Sequence, residues 1–141
     1  MIALPIAAAV VLLLADPATA RQAVPAPVPP PALPSATQAV DALTASPDNF
    51  RLVLENDRVR VLEYSLLPGK RDRRHTHPRR VAQVLSGGTL RVHFPDGRHL
   101  DFEEKAGESS WSEASPLHNT ENIGTTPIRI LLVEVKDGPA S

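Results

Sequence analysis

The stretch "KRDRRHTHPRR", Lys70 to Arg80, carries two histidines, His75 and His77, one residue apart within a run of arginines. On an extended strand residues i and i+2 leave the same face, so both imidazoles can meet one cation at about 2.0–2.1 Å from each nitrogen. Two ligands alone make a weak site. A third histidine, His118, lies further along, just past Pro116. In a closed antiparallel barrel a later strand can run beside an earlier one, and three neutral imidazoles with open coordination positions suit Fe(II), Zn, Ni, Co or Cu. Two solvated histidines on a polar strand would leave the same signature. So would a basic patch for phosphates, but the chain as a whole argues against that. It has 15 Lys and Arg against 16 Asp and Glu, a net charge of −1, and no aromatic residue among the arginines. Nucleic-acid surfaces combine a basic stripe with stacking aromatics, so no nucleic-acid partner is expected. Cysteine is absent, which excludes disulfides, thiolate metal sites and cysteine nucleophiles. There is no G-x-S-x-G element, Walker loop or dinucleotide fingerprint either.

Residues around the histidines extend the candidate site. If the strand stays regular beyond His77, then Arg79, Val81 and Gln83 share the histidines' face. Gln83 would then approach a bound cation as a fourth ligand or an outer-sphere contact. A bulge at Pro78 would reverse the parity and turn Gln83 outward. Arg79 and Arg80, with Arg73 and Arg74, are placed to grip a carboxylate, phosphate or enolate. Alternatively, most of them form a solvated face paired with Glu103, Glu104 and similar acids. Trp111 and Glu113 precede His118. Trp111 is a candidate cavity wall against a ligand. Glu113 is a candidate fourth ligand, an acceptor for an imidazole N–H or a general base, or else an exposed turn residue. His93 alternates against Leu90, Val92 and Phe94 and should face solvent, and His99 lies beside a turn.

The elements that must position these residues are strands. Phe50–Asn56, Arg58–Leu67, Arg80–Leu85, Thr89–Phe94, the run "HLDFEE" and Ile128–Val135 are apolar or alternate with period two. Turn signals separate them: Asn56-Asp57, Pro68-Gly69, Gly87-Gly88, Pro95-Asp96-Gly97, Ala106-Gly107 and Gly124. Short, regularly spaced strands of this kind predict an all-β sandwich or small barrel spanning residues 48–137, with a tail at 138–141.

Two different segments precede that domain. Ile2 to Leu14 is an apolar run broken only by Pro5 and followed by Ala18-Thr19-Ala20, a small-x-small cleavage pattern. Residues 1–20 therefore read as a signal peptide, which makes the protein periplasmic or secreted. No Lys or Arg precedes the run. Left uncleaved it would be an anchor, the one route to a membrane. Residues 21–47 read as a linker. Residues 25–34 hold six prolines and favour polyproline II, and a brief helix is possible from Thr37 to Thr44.

From Leu67 to Val135 the chain resembles the cupin family. The first cupin motif, G-x5-H-x-H followed by a Glu and a Gly, is matched by Gly69, His75 and His77, with Pro78 and "VLSGGTLRV" after them. The second, G-x5-P-x-G-x2-H-x3-N, keeps every interval at Gly107, Glu113, Ser115, His118 and Asn122. The resemblance implies a small jelly-roll β-barrel. It implies a divalent metal, Fe(II) first and Zn, Ni, Mn, Co or Cu as alternatives, at His75, His77 and His118. The motif glutamate would fall at Arg80, Val81 or Ala82, and none of these can replace a carboxylate ligand. A three-histidine centre is therefore implied, as in some cupin dioxygenases. The activity implied is dioxygenase-like, on a small anionic or chelating substrate. A non-catalytic metal or small-ligand binding module is the alternative, and enzyme or binder stays open at this stage. Small cupins often pair strands at an exposed edge, so a homodimer is also implied.

Overall fold

Antiparallel strands dominate the computed structural model, which describes residues 39–137. The segments read as signal peptide and proline-rich stretch, and the tail at 138–141, lie outside the described residues. In chain order the strands are β1 (Phe50–Glu55), β2 (Val59–Leu66), β3 (His75–His77), β4 (Arg80–Ser86), β5 (Gly88–His93), β6 (His99–Glu104), β7 (Ser109–Ser112), β8 (Ser115–Asn122) and β9 (Ile128–Val135). They form a five-stranded sheet in the order β1-β2-β9-β4-β7 and a four-stranded sheet in the order β3-β8-β5-β6. The chain crosses between sheets several times, which is the jelly-roll arrangement expected.

The backbone of the larger sheet is the β2–β9 ladder, in unbroken register from Val59↔Val135 to Leu66↔Ile128. Burial on β9 alternates with period two, so Ile128, Ile130, Leu132 and Glu134 point inward. The first three join Leu62, Tyr64 and Leu66 of β2, with Phe50 and Leu90, in the core. Glu134 is the exception on that face: a carboxylate, 1% exposed, at an apolar parity.

Both glycines that open the cupin-like motifs sit in turns that need them. Gly69 has φ +72°, and Lys70 N–H donates to Leu67 O in the turn Leu67-Pro68-Gly69-Lys70. Gly107 has φ +90°, and Glu108 N–H donates to Lys105 O. A third turn position with positive φ is the signature of a type II turn, where glycine carries no steric cost. Asn122, fully buried, closes the second motif. Its amide donates to Leu66 O and Thr126 O, and its Oδ1 accepts from Gly124 N–H.

Two expectations need correction. The linker does not run to residue 47. A short helix, α1 (Ala42–Ala45), is N-capped by Asp41, and Ala42 is fully buried in the core. And β4 does not continue the parity of β3. His77 and Arg80 both face inward although they are three positions apart, because the chain breaks at Pro78 between the two strands.

Candidate metal centre

His75 and His77 project from β3, and β8 places His118 directly across from His75. All three are buried, at 1%, 6% and 6% exposure. One ring nitrogen from each lies within 4.8 Å of the others. The ring centroids of His75 are 4.7 Å from His77 and 4.6 Å from His118. Phe50 meets the edges of His75 and His77 at 5.0 and 5.6 Å and fixes their planes from below.

Hydrogen bonds decide which nitrogen is free. His75 Nδ1 donates to Arg73 O at 2.6 Å, His77 Nδ1 to Glu134 Oε1 at 2.7 Å, and His118 Nδ1 to Pro116 O at 2.7 Å. Each proton is thus assigned to Nδ1 by its acceptor, which leaves each Nε2 with a lone pair. No fully buried side-chain nitrogen or oxygen among the described residues lacks a partner, so the free Nε2 atoms must reach the open cavity. Burial pushes His77 well below the usual histidine range, with the Arg80, His75 and Arg60 charges adding to it. His118 is brought down to about 3, again chiefly by burial. Neutral imidazoles with fixed tautomers are the state a cation requires.

The histidines border a cavity of about 560 Å³ whose apolar walls include Leu90, Val92, Phe94, Phe102, Ile130 and Leu132. Arg80 also lines it. Its guanidinium donates to Ser115 Oγ at 2.8 Å and, among the described residues, has no carboxylate within ion-pair distance. Tyr64 and Asp72 lie beside the histidines, with Tyr64 Oη donating to Asp72 Oδ2 at 2.8 Å. Thr120 N–H donates to the other Asp72 oxygen at 2.6 Å. Glu103, Glu104 and Glu108 add acidic character to the same cavity. Burial and the Glu108 charge push the Glu104 carboxyl up.

Of the remaining candidates, Gln83, Arg79 and Glu113 fall outside this centre, and Trp111 stands at the cavity's edge. Gln83 does not border the cavity. The break at Pro78 puts Arg80, Ala82 and Val84 on the inward parity, and Gln83 instead accepts from Ser109 Oγ at 2.5 Å. Arg79 is exposed and ion-paired with Asp137, away from the histidines. Glu113 is exposed and accepts from Trp111 Nε1 at 2.7 Å, so it neither ligates nor orients a histidine. Trp111 borders the cavity, yet it is 53% exposed and pairs with the outward-facing Val81. His93 is bound to Glu121 at 2.8 Å on the surface. Glu134, Tyr64 and Asp72 were missed in sequence. For Glu134 the signal was present: it occupies the apolar parity of "IRILLVEV".

Solved structures share the fold. The chain is similar to a cupin domain from Bordetella pertussis Tohama I, at 25% identity and a TM-score of 0.57, over 62% of this chain and 92% of that one. The domain has the cupin fold. A further relative in fold is an RmlC-like cupin family protein with a double-stranded β-helix fold from Methanocaldococcus jannaschii. It is 13% identical with a TM-score of 0.50, over 61% of this chain and 77% of its own. No family model and no curated protein matches the sequence. The donor set of this domain among the described residues, three imidazole nitrogens and no carboxylate, fits a borderline divalent cation.

Proposed function

We propose that this cupin holds one divalent cation, Fe(II) first among the candidates, on the Nε2 atoms of His75, His77 and His118. It would present the open coordination positions to a small anionic or chelating ligand, in a dioxygenase-like reaction. The observation that carries this is the commitment of all three Nδ1 protons to acceptors, with one ring nitrogen of each histidine within 4.8 Å of the others. Three neutral ligands leave the centre's +2 charge uncompensated, which favours an anionic ligand.

The chain's own residues then do the following work. Arg80, which among the described residues has no carboxylate partner, offers its guanidinium to a carboxylate or enolate. Leu90, Val92, Phe94 and Ile130 exclude water around the body of the ligand. Tyr64 keeps its proton, because burial and the Asp72 charge push it well above the ordinary phenol range, so it stays a hydrogen-bond donor. A bound metal would polarise the ligand as a Lewis acid and hold it beside O2.

A non-catalytic binding module is the second reading, favoured by a ligand cluster that, among the described residues, holds no carboxylate. Oxygen uptake by the Fe(II)-loaded protein with a panel of β-diketones, thiols and phenols separates the two. Uptake lost in His118→Ala supports the enzyme, and retained iron with no uptake supports the binder. Export, resting on the apolar run Ile2–Leu14, and a homodimer, resting on the family resemblance, complete the proposal.

A further inference from the structure

β3 is only three residues long and lies at the edge of its sheet, with β8 on one side. A strand this short, paired along one edge, is a poor platform for two metal ligands. Its other edge is closed by the segment just ahead of β1. Thr76, the residue between His75 and His77, donates its N–H to Val40 O at 2.8 Å and accepts from Val40 N–H on Oγ1 at 3.0 Å. Asp41 and Thr76 form a parallel bridge.

The same segment reaches both ligands from behind. One chain of contacts runs from Asp41 to His77. Asp41 Oδ2 pairs with Arg60 at 2.6 Å, Arg60 Nε donates to Glu134 Oε2 at 2.8 Å, and Glu134 Oε1 holds His77 Nδ1 at 2.7 Å. The second runs from Ser46 to His75. Ser46 Oγ accepts from Arg73 N–H at 2.6 Å, and Arg73 O holds His75 Nδ1 at 2.6 Å. Each histidine of β3 therefore has an acceptor that is itself held by the 40–46 segment. His118, whose acceptor is Pro116 O, does not. The segment is anchored by Ala42, fully buried, and Ser46, 2% exposed, but its helix is four residues long and cannot persist undocked.

Given a cation on the three histidines, we propose that Val40–Ser46 is a positioning strap: its docking sets the orientation of His75 and His77, and cation binding in turn tightens its docking. Coupling of this kind is reciprocal by thermodynamic necessity. Without Asp41, the Arg60 guanidinium is left to Glu134 alone and draws that carboxylate away from His77 Nδ1. The residues concerned are positioning residues and touch no ligand.

The test uses the full chain and Zn(II). Asp41→Asn keeps an oxygen for the Thr44 N–H that caps α1 but removes the ion pair with Arg60. Ser46→Ala removes only the acceptor of Arg73 N–H. Zinc affinity is read by competition with a chelator, and exchange of the Thr76 amide is read with and without Zn(II). Each variant should bind zinc about tenfold more weakly, as loss of outer-shell support does. Zn(II) should slow Thr76 exchange in the wild type and slow it less in the variants. Wild-type zinc affinity in both variants would overturn the strap, even if their metal-free melting temperatures fall. Thr76 exchange indifferent to Zn(II) would overturn it too. A wild type that binds no Zn(II) would overturn the metal centre and the strap together.

Discussion

His77 donates its Nδ1 proton to Glu134 Oε1 across 2.7 Å, both side chains nearly sealed from solvent at 4% and 2% exposure. This contact joins the four-stranded sheet to the end of β9 in the five-stranded one. It fixes which nitrogen of His77 can meet a cation and makes that nitrogen more basic. Glu134→Gln keeps an oxygen for Nδ1 but removes the charge. Metal affinity should fall about tenfold with little change in fold. Glu134→Ala leaves His77 Nδ1 without its acceptor and Arg60 with Asp41 alone, and should cost about 1–3 kcal/mol of stability. Metal titration and thermal melting of the two variants check this.

Arg80 is expected to serve the ligand and not the metal. Arg80→Met keeps an apolar stem and removes the charge. In the Zn(II)-loaded protein, acetylacetonate should bind more weakly by about 1.5–3 kcal/mol, the worth of a hydrogen bond to a charged group. Imidazole, a neutral ligand, should bind as before, and bound zinc should be unchanged. Calorimetry with both ligands reads the difference.

Protonation should destabilise the metal-free protein from just below neutrality. His118 is held neutral down to about 3 against an ordinary value of 6.5, and His77 is lowered in the same direction. Below pH 6.5 the unfolded chain takes up these protons and the folded chain does not, so stability falls as pH falls. Buried Asp72 and Glu134, and Glu104 beside the cavity, are raised and act in the opposite sense as pH falls through their raised folded values toward the ordinary 3.8 and 4.5. Denaturant titrations of chelator-treated protein between about pH 6.5 and 5.5 should therefore show a monotonic loss.

Asn122 is a structural test away from the histidines. Asn122→Ala leaves Leu66 O, Thr126 O and Gly124 N–H without their partner. The cost should be about 3 kcal/mol, which for a domain of this size lowers the melting temperature by more than about 10 °C. Since the His75–His77–His118 cluster does not depend on these bonds, zinc affinity measured below the transition should hold.

Several strands were legible because their apolar residues recur with period two: β2, β5 and β9 fall within a residue or two of the runs that announced them. β7 and β8 carry no such apolar run. Their "SSWS" and "SPLHNTEN" are rich in turn-forming residues, because the inward face of β8 carries His118, Thr120 and Asn122 in place of aliphatics. The histidine cluster was legible from spacing and resemblance. The parity of Gln83 and Arg79 was not, since it depends on how the chain breaks at Pro78. The docking of Asp41 and Ser46 was invisible for another reason: its partners, Arg60 and Arg73, are distant in sequence and ordinary in type.

Metal content by elemental mass spectrometry tests the central claim most directly, on protein purified without a metal-binding tag and beside His118→Ala. The expected result is near-stoichiometric iron, nickel or zinc in the wild type, lost in the variant. Empty wild-type protein that also refuses added Fe(II), Zn(II) and Ni(II) would contradict the metal centre and leave Arg80 and its apolar cavity as a plain ligand site.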